Sequence, residues 1–242
     1  MTHLVVPPPP FSLGVRALDY PGGRHQHDAA IPRTGGFAIL AGVITAACAC
    51  TIADWIHIGP HTTLRMLFAL TLGCSLVALV GMVDDLVGVS AWRKLLVELL
   101  AAFVLVKGGW TFSVIWIPGV GTISLGWFGA AISMIWIAGV TNAINLLDGL
   151  DGLAAGVVAI IAGSFVCFGA MRGDLLGMIV MSAVAGACLG FLRYNSAPAE
   201  VYMGDCGALT LGFLLAAMSV RSALKAEMAA ATWFPCSRSV SP

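Results

Sequence analysis

The sequence predicts an all-α polytopic membrane protein of about seven transmembrane helices with a short extracytoplasmic hairpin. Three observations carry that prediction. Of 242 residues, 59% are hydrophobic and only 10% charged, against about 25% charged in a soluble domain. Mean hydropathy is +0.96. The apolar residues also come in runs of about twenty, the length a helix needs to cross ~30 Å of hydrocarbon; a transmembrane β-barrel would show short alternating segments instead.

The runs fall at residues 36–56, 66–83, 95–106, 127–147, 153–171, 175–194 and 208–220. The third and seventh are the shortest. Lys94 and Lys107 flank the third and can snorkel to extend its reach. Between the third and fourth, residues 112–125 alternate loosely around Pro118, Gly119 and Gly121, which predicts an uncharged hairpin outside the bilayer. The chain therefore divides into an N-terminal segment (1–35), a membrane unit (36–220) and an irregular tail (221–242). The opening residues are polar and then proline-rich, unlike a cleavable signal peptide.

Composition excludes several classes. With 12 Lys+Arg against 12 Asp+Glu the formal net charge is zero, which argues against nucleic-acid binding by phosphate neutralisation. The 7 cysteines show no C-x-x-C pair and no Cys/His cluster at zinc spacing, so they read as small buried residues. His25 and His27, at i and i+2, lack a zinc partner nearby.

Crossing parity puts the N-terminal segment on the same side as the links at 84–94, 148–152 and 195–207. Up to residue 205 that side carries Arg16, Arg24, Arg33, Arg93, Lys94 and Arg193, and the other carries Arg65, Lys107 and Arg172. The positive-inside rule makes the first side cytoplasmic. Asp84, Asp85, Asp148, Asp151 and Asp205 all fall there, near a membrane edge. Carboxylates at the end of an apolar helix are costly unless they are paired, metal-bound or facing water. Ordinary solvation accounts for one such residue. Five on one face read as a cation site, with Mg²⁺ the expected ion and Mn²⁺ a substitute, since oxygen ligands and phosphate substrates suit both.

The first link closes an apolar helix with Asp84 and Asp85. Adjacent carboxylates repel, so one is expected to act as a base unless a metal holds both charged. Arg93 and Lys94 then offer positive charge to a phosphate, or simply anchor the cytoplasmic side. In the second link Asn142, Asn145 and Asp148 recur at i, i+3 and i+6, on one face if helical. Gly149 and Gly152 break the helix and are expected to free backbone N–H groups for a ligand; the plainer reading is an Asx-rich turn. In the third link Asp205 stands between Gly204 and Gly207, suited to a metal held against a pyrophosphate. Tyr202 is placed either to stack on a base or to serve as a membrane-belt residue.

Four ordered strings carry a family resemblance: D-x-P-x-x-R with I-P-R-T-G-G (19–36), G-M-V-D-D (81–85), N-A-I-N-L-L-D-G-L-D-G-L (142–153) and P-A-E-V-Y-M-G-D-C-G (198–207). In these the chain resembles the polyprenyl-phosphate N-acetylhexosamine-1-phosphate transferases, glycosyltransferase family 4. The I-P-R-T-G-G form is more similar to the branch using UDP-N-acetylglucosamine than to the branch using UDP-N-acetylmuramoyl-pentapeptide. The resemblance implies a multi-pass protein of the bacterial inner membrane with its active site facing the cytoplasm. There undecaprenyl phosphate attacks the β-phosphorus of a UDP-sugar, releases UMP and starts a cell-envelope polysaccharide such as lipopolysaccharide O-antigen.

The resemblance also implies roles. Asp205 matches the Mg²⁺ ligand, and Asp84 and Asp85 match the pair that binds metal or activates the lipid phosphate. Asn145 and Asp148 match substrate-contacting positions, with Asp148 also a catalytic candidate. Gly149, Leu150 and Asp151 line a uracil pocket and Tyr202 stands beside the base. Arg33, Lys94, Asn142 and Gly204 complete the expected substrate-binding set. Expected partners are the UDP-sugar, the polyprenyl phosphate lipid, the membrane and a second copy in a homodimer, with no nucleic acid.

The chain departs from the family pattern in four places. The family has an additional span before the D-x-P segment and further spans with a His-rich loop after span seven, so the chain is expected to be shortened at both ends. The family's Gln four residues after Lys94 is Glu98, and its Ser after G-D-x-G is Ala208. Two other readings compete. A secondary transporter or ion channel would place acids near the bilayer midplane within inverted repeats, whereas these acids lie at helix ends and no repeat is found. A CDP-alcohol phosphotransferase is loosely similar over 148–155, but Gly156 stands where Arg is needed.

Overall fold

The computed structural model describes residues 18–19, 31–32, 35–53, 64–117 and 121–233. Two short strands, β1 (Leu18–Asp19) and β2 (Ile31–Pro32), pair antiparallel. Three helices follow: α1 (Gly35–Ala53), α2 (Leu64–Val87) and α3 (Ala91–Lys107). After the hairpin β3 (Val114–Ile117) and β4 (Gly121–Ser124) come α4 (Gly126–Leu147), α5 (Leu153–Arg172), α6 (Leu175–Asn195) and α7 (Gly204–Trp233).

Each predicted run falls within one helix in its described part, and the hairpin pairs from Val114↔Ser124 to Ile117↔Gly121. Five helices, α2 and α4 to α7, are long and apolar enough to cross a membrane. At 22 residues α4 extends about 33 Å. The outward faces of these helices carry large apolar side chains such as Phe68, Trp127, Ile135 and Ile160, as a lipid-facing surface requires.

The seventh run is among the weakest in the sequence, yet α7 is the axis of the bundle. It packs against α1, α2, α4, α5 and α6, and residues 206–218 are all buried. A helix sheathed by protein needs small residues for close approach more than it needs high hydropathy. A Cβ added to Gly81 of α2 would lie 2.6 Å from Cys206 Cα and 2.7 Å from the Asp205 carbonyl carbon. Gly36 of α1 and Gly207 of α7 meet just as closely: a Cβ on Gly207 would lie 2.8 Å from Gly36 Cα.

The tail corrects the sequence reading. Residues 221–233 continue α7 instead of becoming irregular, because this stretch is rich in Ala, Leu, Lys, Glu and Met, all strong helix formers; residues 234–242 lie outside the described residues. The helix is also anchored here. The Arg221 guanidinium, 3% exposed, donates from Nε to Asp174 Oδ1 at 2.9 Å and Oδ2 at 3.0 Å. It also lies 5.8 Å from the Trp110 ring centroid.

Candidate active site

Alternating helix directions bring the start of α1, the α2–α3 turn, the α4–α5 turn and the α6–α7 loop to one end of the bundle. The two glycines opening α1 fix this arrangement: Gly35 N–H donates to the Tyr202 carbonyl at 3.0 Å and Gly36 N–H to the Met203 carbonyl at 2.8 Å. Those bonds satisfy N–H groups that a helix start leaves unpaired. Gly204, at φ 72°, then turns the chain into α7 with a backbone that a side chain would strain.

The adjacent acids of the first link take separate tasks. Successive helical residues point about 100° apart, so Asp84 and Asp85 do not face one another. Asp85, 7% exposed, accepts at Oδ1 from the N–H of Asp205 (2.9 Å) and at Oδ2 from that of Cys206 (3.0 Å). It is the N-terminal cap of α7, placed where a negative charge meets the positive end of the helix dipole. Asp84 accepts at Oδ1 from Val89 N–H, which closes the α2–α3 turn. Its Oδ2 lies 2.8 Å from Lys94 Nζ, and the same ammonium lies 2.5 Å from Asp205 Oδ2. Asn145 Nδ2 also donates to Asp205 Oδ2, at 3.3 Å. Four residues from α2, α3, α4 and α7 thus meet at one point.

Beside that point opens a cleft of ≈ 370 Å³, lined by Asn145, Leu146, Asp148, Gly149, Leu150, Asp151, Asn195, Tyr202, Gly204 and Asp205. Small-molecule sites have about this volume. Of the singled-out residues of the second and third links, Asn145, Asp148, Gly149, Leu150, Asp151, Tyr202, Gly204 and Asp205 line it, whereas Asn142, Gly152 and Gly207 do not. Asn142 sits one turn deeper, where Nδ2 donates to Glu98 Oε2 and to the Ala138 carbonyl. Asp148 falls just beyond the last helical residue, its N–H bonded to the Asn145 carbonyl at 3.2 Å. Arg33 lies outside the described residues, as do Arg16, Arg24, His25 and His27.

The second link differs from expectation in one respect. Gly152 N–H is not free for a ligand: Asn195 Oδ1 accepts it at 3.0 Å. Asn195, 3% exposed, also donates from Nδ2 to the Val201 carbonyl at 2.9 Å. Ala199 N–H donates to Asp151 Oδ2 at 3.0 Å. Asn195 and Asp151 therefore clamp the two walls of the cleft together. Sequence reasoning passed over Asn195, although a third Asn at the end of a span, like Asn142 and Asn145, was the available signal. The Gln-to-Glu departure at Glu98 carries no sequence sign of its contact with Asn142.

The donor set bears on Mg²⁺. Among the described residues no three His, Cys, Asp or Glu side chains converge as a metal cage. The two carboxylates of Asp84 and Asp205 do converge on one cation, the Lys94 ammonium. Mg²⁺ is commonly bound by one or two carboxylates together with substrate phosphates and water, so the pair fits. Asp85 fits less well, since backbone N–H groups engage both its oxygens.

Comparison with known proteins agrees with the four strings. The chain is 35% identical over 223 residues to a probable undecaprenyl-phosphate N-acetylglucosaminyl 1-phosphate transferase of Bacillus subtilis, covering 91% of this chain and 60% of that protein. It is 36% identical over 220 residues to a decaprenyl-phosphate N-acetylglucosaminephosphotransferase of Mycobacterium leprae (86% and 55%). A phospho-N-acetylmuramoyl-pentapeptide-transferase of Lacticaseibacillus paracasei is 32% identical over 208 residues (81% and 63%). The chain thus spans about three-fifths of the length of these relatives. The model of glycosyl transferase family 4 matches residues 67–223, from α2 through most of α7, and the chain belongs to that family.

Proposed function

We propose that this chain carries a site for transfer of N-acetylglucosamine-1-phosphate from a UDP-sugar to undecaprenyl phosphate, releasing UMP at the cytoplasmic face of a bacterial inner membrane. The observation that carries the proposal is the meeting of Asp84, Lys94, Asn145 and Asp205 beside a polar cleft at one end of an apolar bundle. A soluble nucleotide and a lipid phosphate whose tail stays in the bilayer can both reach that position.

In the proposed reaction an oxygen of the lipid phosphate forms a bond to the β-phosphorus. The bond from that phosphorus to the bridging oxygen breaks, and UMP leaves with the bridging oxygen. Such transfers depend on in-line positioning and on neutralising phosphate charge. Asp84 and Asp205 would hold Mg²⁺, with Mn²⁺ as a substitute, and the ion when bound supplies positive charge to the diphosphate oxygens. Lys94 adds an ammonium for a phosphate oxygen. Tyr202, Gly149, Leu150 and Asp151 provide the walls for the uridine, with Asp151 fixed by Ala199 N–H. Asp148 and Asn145 face the sugar-phosphate from the end of α4. In this reading Asp85 acts through the backbone of Asp205, and Asn142 through Glu98.

N-acetylglucosamine is favoured as the sugar by the I-P-R-T-G-G string and by what two of the similar proteins are named for. The homodimer expectation gains no support. The test is UMP release by the purified chain in detergent, given UDP-N-acetylglucosamine, undecaprenyl phosphate and Mg²⁺, with UDP-N-acetylglucosamine binding measured in parallel. Asp205→Asn should lower turnover by about two to three orders of magnitude, the scale on which an electrostatic transition-state contact acts. Unchanged Mg²⁺-dependent turnover in that variant, or no nucleotide-sugar binding by the unsubstituted chain, overturns the proposal.

A further inference from the structure

One buried carboxylate enters that scheme only as the partner of Asn142. Glu98 lies on α3 four residues after Lys94, so the two side chains share one helix face. It is 1% exposed. Asn142 holds its Oε2, while Oε1 is the one buried side-chain polar atom without a hydrogen-bond partner among the described residues. A buried carboxylate oxygen left unpaired is costly, and such an atom beside a reactive site calls for a partner that arrives in another state. Glu98 is within electrostatic reach of both Lys94 and Asp205.

The available partner is Lys94. Its ammonium sits between Asp84 Oδ2 and Asp205 Oδ2, where a divalent cation would have to sit, and two cations cannot share that place. We propose that Lys94 has two positions. Without metal it holds Asp84 and Asp205 together; with metal bound it withdraws one helical turn to Glu98 Oε1. Glu98 is then a positioning residue that gives the displaced ammonium a seat and keeps it near the phosphates. With all four groups charged, Asp84, Asp205, Glu98 and Lys94 sum to two negative charges, the complement of one divalent ion.

The inference rests on the reading of Asp84 and Asp205 as the metal pair, and the test separates the two. Mn²⁺ binding to the purified full chain in detergent is followed by the paramagnetic resonance of free Mn²⁺, for the unsubstituted protein, Lys94→Met, Glu98→Gln and the double variant. Lys94→Met should bind roughly tenfold tighter and Glu98→Gln roughly tenfold weaker, each about the size of one charge-assisted hydrogen bond. The double variant should match Lys94→Met, because Glu98 acts only by receiving the lysine. Equal weakening by Glu98→Gln with and without Lys94, as a purely structural residue would give, overturns the inference, as does Lys94→Met without tightening. Should a variant not fold, acylation of Lys94 in the unsubstituted protein, read by mass spectrometry, decides: Mn²⁺ should slow it as Lys94 moves against the buried Glu98, and an unchanged or faster rate refutes the two positions. Absence of any Mn²⁺ binding by the unsubstituted chain removes the metal pair itself, and this inference with it.

Discussion

Asp85→Asn tests whether an acid next to the site belongs to the chemistry or to the scaffold. In the structure both Asp85 oxygens accept from backbone N–H groups of α7, at 2.9 and 3.0 Å. Asparagine keeps one acceptor and presents its NH₂ to the other N–H, so one bond is lost, one donor is left buried, and the charge facing the helix dipole disappears. Loss of a cap costs about 1–2 kcal/mol, and a charge-assisted bond about 1.5–3 kcal/mol. These overlap, and a loss of about 2 kcal/mol is expected. For a chain of this length that lowers the unfolding temperature by about 4–8 °C.

The assay is thermal unfolding in detergent, paired with Mn²⁺ binding. The expected pattern is a lower unfolding temperature together with weakened but measurable Mn²⁺ affinity, because the Asp205 backbone loses its support while its carboxylate remains. An unfolding temperature within 1 °C of the unsubstituted protein, combined with abolished metal binding, would refute the capping assignment and make Asp85 a direct ligand.

The other expectations concern the framework. Arg221→Ala removes the guanidinium paired with buried Asp174 and should cost about 3–5 kcal/mol; adding Asp174→Leu should recover much of it in the same unfolding assay. Gly81→Ala places a Cβ 2.6 Å from Cys206 Cα and 2.7 Å from the Asp205 carbonyl carbon. Backbone cannot yield as a side chain can, so a loss of about 1–3 kcal/mol and weaker Mn²⁺ binding are expected. Gly139→Ala, with nothing within 4 Å of the added Cβ, serves as its helix control and should be neutral or slightly stabilising. Asn195→Ala unpairs Gly152 N–H and the Val201 carbonyl at once. It should lower stability by about 2 kcal/mol and weaken UDP-N-acetylglucosamine binding in a titration, with Mn²⁺ affinity retained.

Much of the fold was legible because a bilayer imposes one strong rule, a run of apolar residues for each crossing; each of the seven runs lies, in its described part, in one helix, and five of those helices are long and apolar enough to cross. The rule weakens where protein replaces lipid. The seventh run reads as marginal because α7 is buried in its neighbours and is built from small and polar residues such as Gly207, Thr210 and Gly212. The end of α7 was missed for a related reason: residues 221–233 lack membrane hydropathy, but helix propensity and the Arg221–Asp174 pair suffice to continue it. Parity places the three acidic links on one side, and Asp148, Asp151, Tyr202 and Asp205 do line one cleft. Side-chain bonds between distant segments leave no periodic trace, so Asn195 and the Glu98–Asn142 contact were not found.

The D-D pair shows where sequence adjacency misleads. Neighbours in a chain suggest a shared ion, but neighbours on a helix diverge by a quarter turn or more, and the divergence here does two jobs in one step. Asp85 reaches α7 and fixes the backbone of Asp205, while Asp84 reaches the same Asp205 through the Lys94 ammonium. The second job is helped by the first: Asp85 holds the start of α7 against the end of α2, at the point where Gly81 lets the helices touch, and so supports the convergence of the Asp84 and Asp205 carboxylates. An adjacent acidic pair closing a span is thus a means of docking one helix onto another and facing a charge at the joint, which two acids one full turn apart on the same face could not provide.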